Sequence, residues 1–157
     1  MKVINYISKK LYRNSPNYTE DIINLINSRN YASSTPYLIW IDLKNFKTNI
    51  FKGKKNNWLL VHSYLCTIGK PSTPTPKGTY TVGIKGLYFG VEKGYKCWYY
   101  TQFKGNYLFH SIIYNLDGSV RDGRLGMALS DGCVRLAKTN AKWIYDNIPQ
   151  GTKVIIS

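Results

Sequence analysis

From Tyr37 to Ile156 the chain is a succession of short runs dense in Tyr, Trp, Ile, Val and Thr, each cut off by a turn of Lys, Asn, Gly or Pro. β-branched and aromatic side chains suit a pleated, half-buried surface, and turns this closely spaced leave little room for long helices. Tyr37–Leu43 and Lys47–Lys52, joined by a Lys-Asn turn, predict a hairpin. Trp58–Cys66 predicts a long strand and Thr79–Gly83 another. Cys97–Phe103 and Tyr107–Ile112 flank Lys104, Gly105 and Asn106 and predict a second hairpin; Thr152–Ile156 predicts a closing strand. One short helix is expected near the C-terminal end, capped by Thr139, running through Ala141, Trp143, Ile144 and Tyr145, and stopped by Pro149 and Gly151. The expected class is mainly β, a sandwich or barrel.

The first 34 residues follow a different rule. Val3, Ile4, Ile7 and Leu11 recur at helical spacing among Lys2, Lys9, Lys10 and Arg13. A second helix is expected with Thr19 as N-cap, Glu20 and Asp21 in its first turn, an apolar stripe of Ile22, Ile23, Leu25 and Ile26, and Arg29 near its end. Ser33–Pro36 reads as a linker, so the expected division is a helical extension over 1–34 and one domain over 37–157. Met1–Arg13 lacks an uninterrupted apolar core and a small-residue cleavage site, so it is not read as a signal peptide. That leaves another export route or a longer parent chain.

A chain of 157 residues can bury a core without staples. With 15% aromatic residues it is not a disordered tail, and no run approaches the roughly 18 apolar residues of a membrane span. The formal charge of +14, from 22 Lys and Arg against 8 Asp and Glu, draws polyanions: nucleic acid, anionic lipid or wall polymers. The lysines are scattered rather than clustered, as on a solvated surface, and no nucleic-acid motif accompanies them.

Three cysteines are too few for a disulfide scaffold and odd in number. Cys66 and Cys97 are read as core residues before a pair. Cys133 stands in Ser130-Asp131-Gly132-Cys133-Val134-Arg135-Leu136. A thiol reacts as thiolate and needs a base or a positive field beside it. His110 closes the apolar stretch Leu108-Phe109-His110, where a strand end can present it, whereas His62 sits mid-strand. Gly132 lets backbone or substrate approach the thiol closely. On spacing alone, Cys133 is better read as a small buried apolar residue than as a nucleophile.

Four motifs, in order, resemble those of the L,D-transpeptidase catalytic domain family (YkuD type). The cysteine segment is similar to that family's Ser-His-Gly-Cys-Ile/Val-Arg signature. Gly69-Lys70-Pro71 through Thr75-Pro76-Lys77-Gly78-Thr79-Tyr80 is similar to its Gly-Lys-Pro…Thr-Pro-x-Gly loop. His110 lies where the family places its base, and Ile148-Pro149-Gln150-Gly151-Thr152-Lys153-Val154 is similar to its closing segment. The resemblance runs from about Tyr37 to Ser157. Two positions depart: Asp131 replaces the signature histidine, and Ser111 replaces the glycine usual after the base.

The resemblance implies a peptidoglycan cross-linking enzyme that works at the cell wall, outside the cytoplasm, as a monomer with no cofactor and no metal. Its partners would be stem peptides and possible anionic wall polymers, not nucleic acid. The Cys133 thiolate would attack the third residue of a donor tetrapeptide, D-alanine would leave, and an amine of a second stem would take the acyl group, giving a 3→3 link. His110 would move protons, oriented by the Ser111 carbonyl, and backbone N–H groups around Gly132 and Cys133 would form the oxyanion hole. Ser130, Asp131 and Arg135 are the expected substrate-binding residues, with bracing as the other reading of Arg135. The Asp131 carboxylate should raise the thiol pKa unless Arg121, Arg124 or Arg135 screens it. Water as acceptor would make an L,D-carboxypeptidase, and a catalytically silent wall-binding module is the remaining alternative.

Overall fold

A computed structural model describes residues 17–157; the helical pattern of Val3, Ile4, Ile7 and Leu11 lies outside them. The elements in chain order are α1 (Tyr18–Ser28), β1 (Tyr37–Asp42), β2 (Lys47–Lys54), β3 (Asn57–Gly69), β4 (Gly78–Thr81), β5 (Lys85–Phe89), a 3-10 turn (Val91–Lys93), β6 (Tyr95–Lys104), β7 (Tyr107–Ser111), β8 (Ile113–Asn115), β9 (Val120–Asp122), β10 (Ala128–Ser130), β11 (Val134–Leu136), α2 (Lys138–Asn147) and β12 (Lys153–Ile156). The class is mainly β, as expected. The strands form one sheet in the order β4-β12-β1-β2-β3-β11-β7-β6-β8-β9, with β10 on β3 and β5 on β6. This path does not close into a barrel. It bends until the chain after β4 meets β6, where Gly83 N–H donates to the Gln102 carbonyl (2.8 Å) and Gln102 N–H to that of Ile84 (2.9 Å).

β1 is buried on both faces, which explains its unbroken apolar run. Ile39 and Ile41 enter a core shared with Ile50, Phe103, Phe109, Val134 and, from α2, Ala141 and Ile144. Leu38 and Trp40 face the other way and pack with Phe51, Trp58, Ile155 and the Ile22–Ile26 stripe of α1. The extension helix therefore shares a core with the sheet. The segment read as a linker is bound to the sheet's margin: Lys153 N–H donates to Ser33 Oγ (3.0 Å) and Ser34 Oγ to the Gly151 carbonyl (2.9 Å).

Both helix starts differ from expectation. α1 begins after Asn17, with Thr19 inside its first turn. α2 begins after Ala137 because the chain leaves β11 directly into the helix, so Thr139 is no cap. The hairpins β1–β2 and β6–β7 form as expected. Cys66 and Cys97 are both buried and free, not bridged.

Candidate active site

β11 positions the site. It lies antiparallel to β3, with Arg135 opposite Thr67 and Leu136 opposite Cys66. On its other side it lies parallel to β7, with Val134 beside Phe109, Arg135 beside His110 and Leu136 beside Ser111. One step back along this register sets Cys133 beside Leu108, whose N–H donates to Cys133 Sγ at 3.4 Å. The thiol in turn donates to the Asn106 carbonyl at 3.5 Å.

Cys133 and His110 line one cavity of about 630 Å³, together with Ser130, Asp131 and Arg135. The structure thus gathers the side chains of five of the residues singled out in the sequence. Ser111 contributes its carbonyl: His110 Nδ1 lies 2.6 Å from Ser111 O. A carbonyl only accepts, so in the neutral ring Nδ1 carries the proton and Nε2 holds the lone pair. Ser111 fits in place of glycine because its hydroxyl is used internally. It accepts Trp98 N–H (2.7 Å) and donates to the Ile112 carbonyl (2.7 Å).

Burial sets the protonation states. It pushes the His110 pKa down to about 4, outweighing the opposing pull of the Ser111 carbonyl. It raises the Cys133 thiol, partly offset by the Leu108 N–H and the Arg135 charge; Asp131 adds a smaller upward push. Between these shifted values the resting pair is thiol plus neutral imidazole, not thiolate plus imidazolium.

Asp131 is exposed, and its ion-pair partner is Lys70, Nζ to Oδ1 2.9 Å; of the three arginines proposed to screen it, Arg135 pulls the Cys133 thiol down through its charge without pairing with Asp131. The chain folds back so that the Gly69-Lys70 segment, 61 residues earlier, runs beside Ser130. Arg124 and Arg135 are instead drawn to Asp122, at 3.0 and 3.5 Å, and the Arg124 bond holds the Asp122 carboxyl down at about 2. Arg121 donates to Asn115 Oδ1 (2.7 Å) and the Gly94 carbonyl (2.8 Å). Arg135 both braces Asp122 and lines the cavity.

Gly132 has φ +122°, and a Cβ there would stand 2.4 Å from the Tyr107 ring, so only glycine fits. The turn is therefore not extended, and Asp131 and Cys133 do not stand side by side as alternate residues of a strand would. Gly132 N–H donates to Ser130 Oγ (3.1 Å), and Ser130 Oγ donates to the Cys133 carbonyl (2.6 Å). Among the described residues the Cys133 N–H has no internal acceptor.

One wall went unread in the sequence. Phe89, Lys93 and Tyr95 line the cavity from β5, the 3-10 turn and β6, and Phe89 meets the His110 ring edge-on at 5.0 Å between centroids. The available signal was Gly90 and Gly94, both left-handed, bracketing a tight turn between aromatic runs. Cys97 also lines the cavity, but burial pushes its thiol up to about 12. His62 stacks on Tyr64 and meets Trp143 edge-on, away from the cavity. Among the described residues no group of three His, Cys, Asp or Glu is placed to hold a metal ion, and no helix is long and apolar enough to cross a membrane.

Residues 36–156 match the family model of the L,D-transpeptidase catalytic domain. The chain is 35% identical over 131 residues to the Bacillus subtilis (strain 168) protein named "Putative L,D-transpeptidase YciB", covering 76% of this chain and 66% of that one. A crystal structure from Clostridium acetobutylicum, of a protein described as a fused Zn-dependent amidase/peptidase/peptidoglycan-binding domain-containing protein, superposes with a TM-score of 0.77 at 41% identity; the match covers 98% of this chain and 62% of that one. The LD transpeptidase LdtMt1, solved in complex with imipenem, shares the fold at 17% identity with a TM-score of 0.62, over 78% of this chain and 59% of its own. The chain thus spans just under two thirds of each of these relatives.

Proposed function

The chain belongs to the L,D-transpeptidase catalytic domain family, and from that premise we propose that it forms 3→3 cross-links in peptidoglycan through a Cys133 thioester. The observation that carries this reading is the cavity lined by both Cys133 and a buried histidine whose Nδ1 is tied to a carbonyl.

The chemistry follows from the protonation states. His110 Nε2 accepts the thiol proton as Sγ bonds to the carbonyl carbon of the third, L-centred residue of a donor tetrapeptide. The carbonyl electron pair moves to oxygen, and a backbone N–H at the nucleophile turn receives the oxyanion. The tetrahedral centre then collapses, the carbon–nitrogen bond breaks, and His110 returns the proton to the departing D-alanine amine. A thioester remains on Cys133. The side-chain amine of a diamino acid on a second stem attacks it, His110 takes the amine proton, and the thiol is regenerated.

Asp131 and Arg135 have complementary parts. Arg135 places a cation in the cavity for a stem carboxylate. Asp131 stands at the mouth and already holds one ammonium, that of Lys70; an acceptor ammonium would replace it. Both partners are largely exposed, so the exchange costs under about 1 kcal/mol. The family's work on the wall and the +14 charge support a monomer acting outside the cytoplasm, attracted to anionic wall polymers.

The test is incubation with a disaccharide-tetrapeptide. Release of D-alanine with a cross-linked dimer is expected. Release with tripeptide alone would make water the acceptor, and no release would overturn the reading.

A further inference from the structure

Thr75 is almost fully buried and is not among the cavity-lining residues, yet its hydroxyl makes two bonds that meet at the nucleophile. Thr75 Oγ1 accepts the N–H of Gly69, the last residue of β3, at 2.9 Å. It donates to the Gly132 carbonyl at 2.9 Å. With Gly69 N–H on one lone pair, the hydroxyl proton is left to point at Gly132 O. The Gly132 carbonyl and the Cys133 N–H belong to one peptide unit, which is trans, as every described peptide is. In a trans unit the two point in opposite directions. Fixing the carbonyl on Thr75 therefore aims the Cys133 N–H away from Thr75.

The rest of the turn is tied down in the same manner. Thr73 Oγ1 and Lys70 N–H both donate to the Ser130 carbonyl, at 3.0 and 2.9 Å. Ser130 Oγ occupies the Gly132 N–H. Gly132 N–H is thereby committed, while the Cys133 N–H, the one on the plane that Thr75 fixes, is left without an internal acceptor among the described residues.

We propose that Thr75 is a positioning residue for acyl transfer, its hydroxyl fixing the plane of the Gly132–Cys133 peptide so that the Cys133 N–H serves as the oxyanion donor. The proposal rests on the acyl-transfer reading above. It assigns the Thr-Pro loop a part in the chemistry rather than in fold rigidity alone.

The experiment compares two reactions of the same thiol. Acylation by a carbapenem builds an oxyanion on a carbonyl; alkylation by iodoacetamide displaces iodide and builds none. Thr75→Val keeps volume and loses the hydroxyl, Thr75→Ala loses the hydroxyl in a smaller side chain, and Thr75→Ser keeps it. With rates taken per folded molecule, Thr75→Val and Thr75→Ala should lose at least about ten-fold in acylation, and no more than the roughly 10²–10³-fold that removal of one oxyanion donor costs. Alkylation of Cys133 should change by less than about two-fold, and Thr75→Ser should acylate close to the parent rate. Equal losses in both reactions, parent-like acylation of Thr75→Val, or a Thr75→Ser variant as slow as Thr75→Val would each overturn the proposal. If the parent protein is itself not acylated, the acyl-transfer reading falls and this proposal with it; if the parent reacts and Thr75→Val matches it, the Thr75 proposal alone falls.

Discussion

The cluster under α1 and the cavity beside β11 lie on one sheet and obey opposite rules. Ile22, Ile26, Leu38, Trp40, Phe51, Trp58 and Ile155 form a dry apolar cluster with no ionisable group among them. The cavity has a buried histidine, a half-buried thiol, a left-handed glycine and a turn whose peptide groups are held by the hydroxyls of Thr73, Thr75 and Ser130. Burial in the first region adds stability. In the second it shifts protonation states and leaves one N–H unused, which costs stability and makes chemistry possible. The two regions should therefore separate under mutation.

The largest separation is expected at Cys133. Cys133→Ala should abolish the carbapenem adduct seen by intact-mass spectrometry while the melting temperature stays close to the parent's, because the thiol is only partly buried. His110→Gln comes next, with acylation slower by about 10²–10⁴-fold. The loss should shrink at high pH as the thiol ionises unaided, and an unchanged pH–rate profile would remove His110 from the mechanism. Trp58→Ala should show the reverse pattern. It empties a fully buried site and breaks the indole N–H bond to the Tyr31 carbonyl (3.0 Å), costing roughly 3–5 kcal/mol in denaturant unfolding. Its acylation rate per folded molecule should match the parent's; a loss as large as at His110 would break the comparison.

A smaller effect is expected from acid. His110 is neutral in the fold down to about pH 4, whereas in the unfolded chain it protonates near 6.5. Between these values the unfolded state binds the extra proton, so stability is full above 6.5 and falls as pH drops toward 4. Melting temperature against pH should show this decline in the parent and a shallower one in His110→Gln. The smallest effect belongs to Asp131→Asn. Acylation should hold steady or quicken slightly because the thiol loses a negative neighbour. The ratio of cross-linked dimer to hydrolysed tripeptide should fall several-fold. A constant ratio with a lower melting temperature would assign Asp131 to the scaffold.

The same division explains what could be read from the chain. The hairpins β1–β2 and β6–β7 were legible because alternation and a turn are local signals. The short strands β10 and β11 were not, since each exists only through partners distant in sequence, and β8 and β9, though paired with each other locally, are three residues each and too short to show alternation. Cys133 and His110 stood out by residue type and motif, but what sets them together is the parallel pairing of β11 with β7. Lys70 as the partner of Asp131 depends on β10 lying along the end of β3. Thr75 was visible as part of the Thr-Pro-x-Gly loop; its bond to the Gly132 carbonyl spans 57 residues and has no local trace.

The central claim is that reactivity resides in one thiol of three. Cys66 and Cys97 are buried, each pushed up to about 12, while Cys133, which shares the cavity with Cys97, is only partly buried. The direct measurement is peptide mapping by mass spectrometry after the folded protein has reacted with a carbapenem. The account predicts a single adduct, on the peptide containing Cys133. An adduct on Cys66 or Cys97, or none at all, would contradict it.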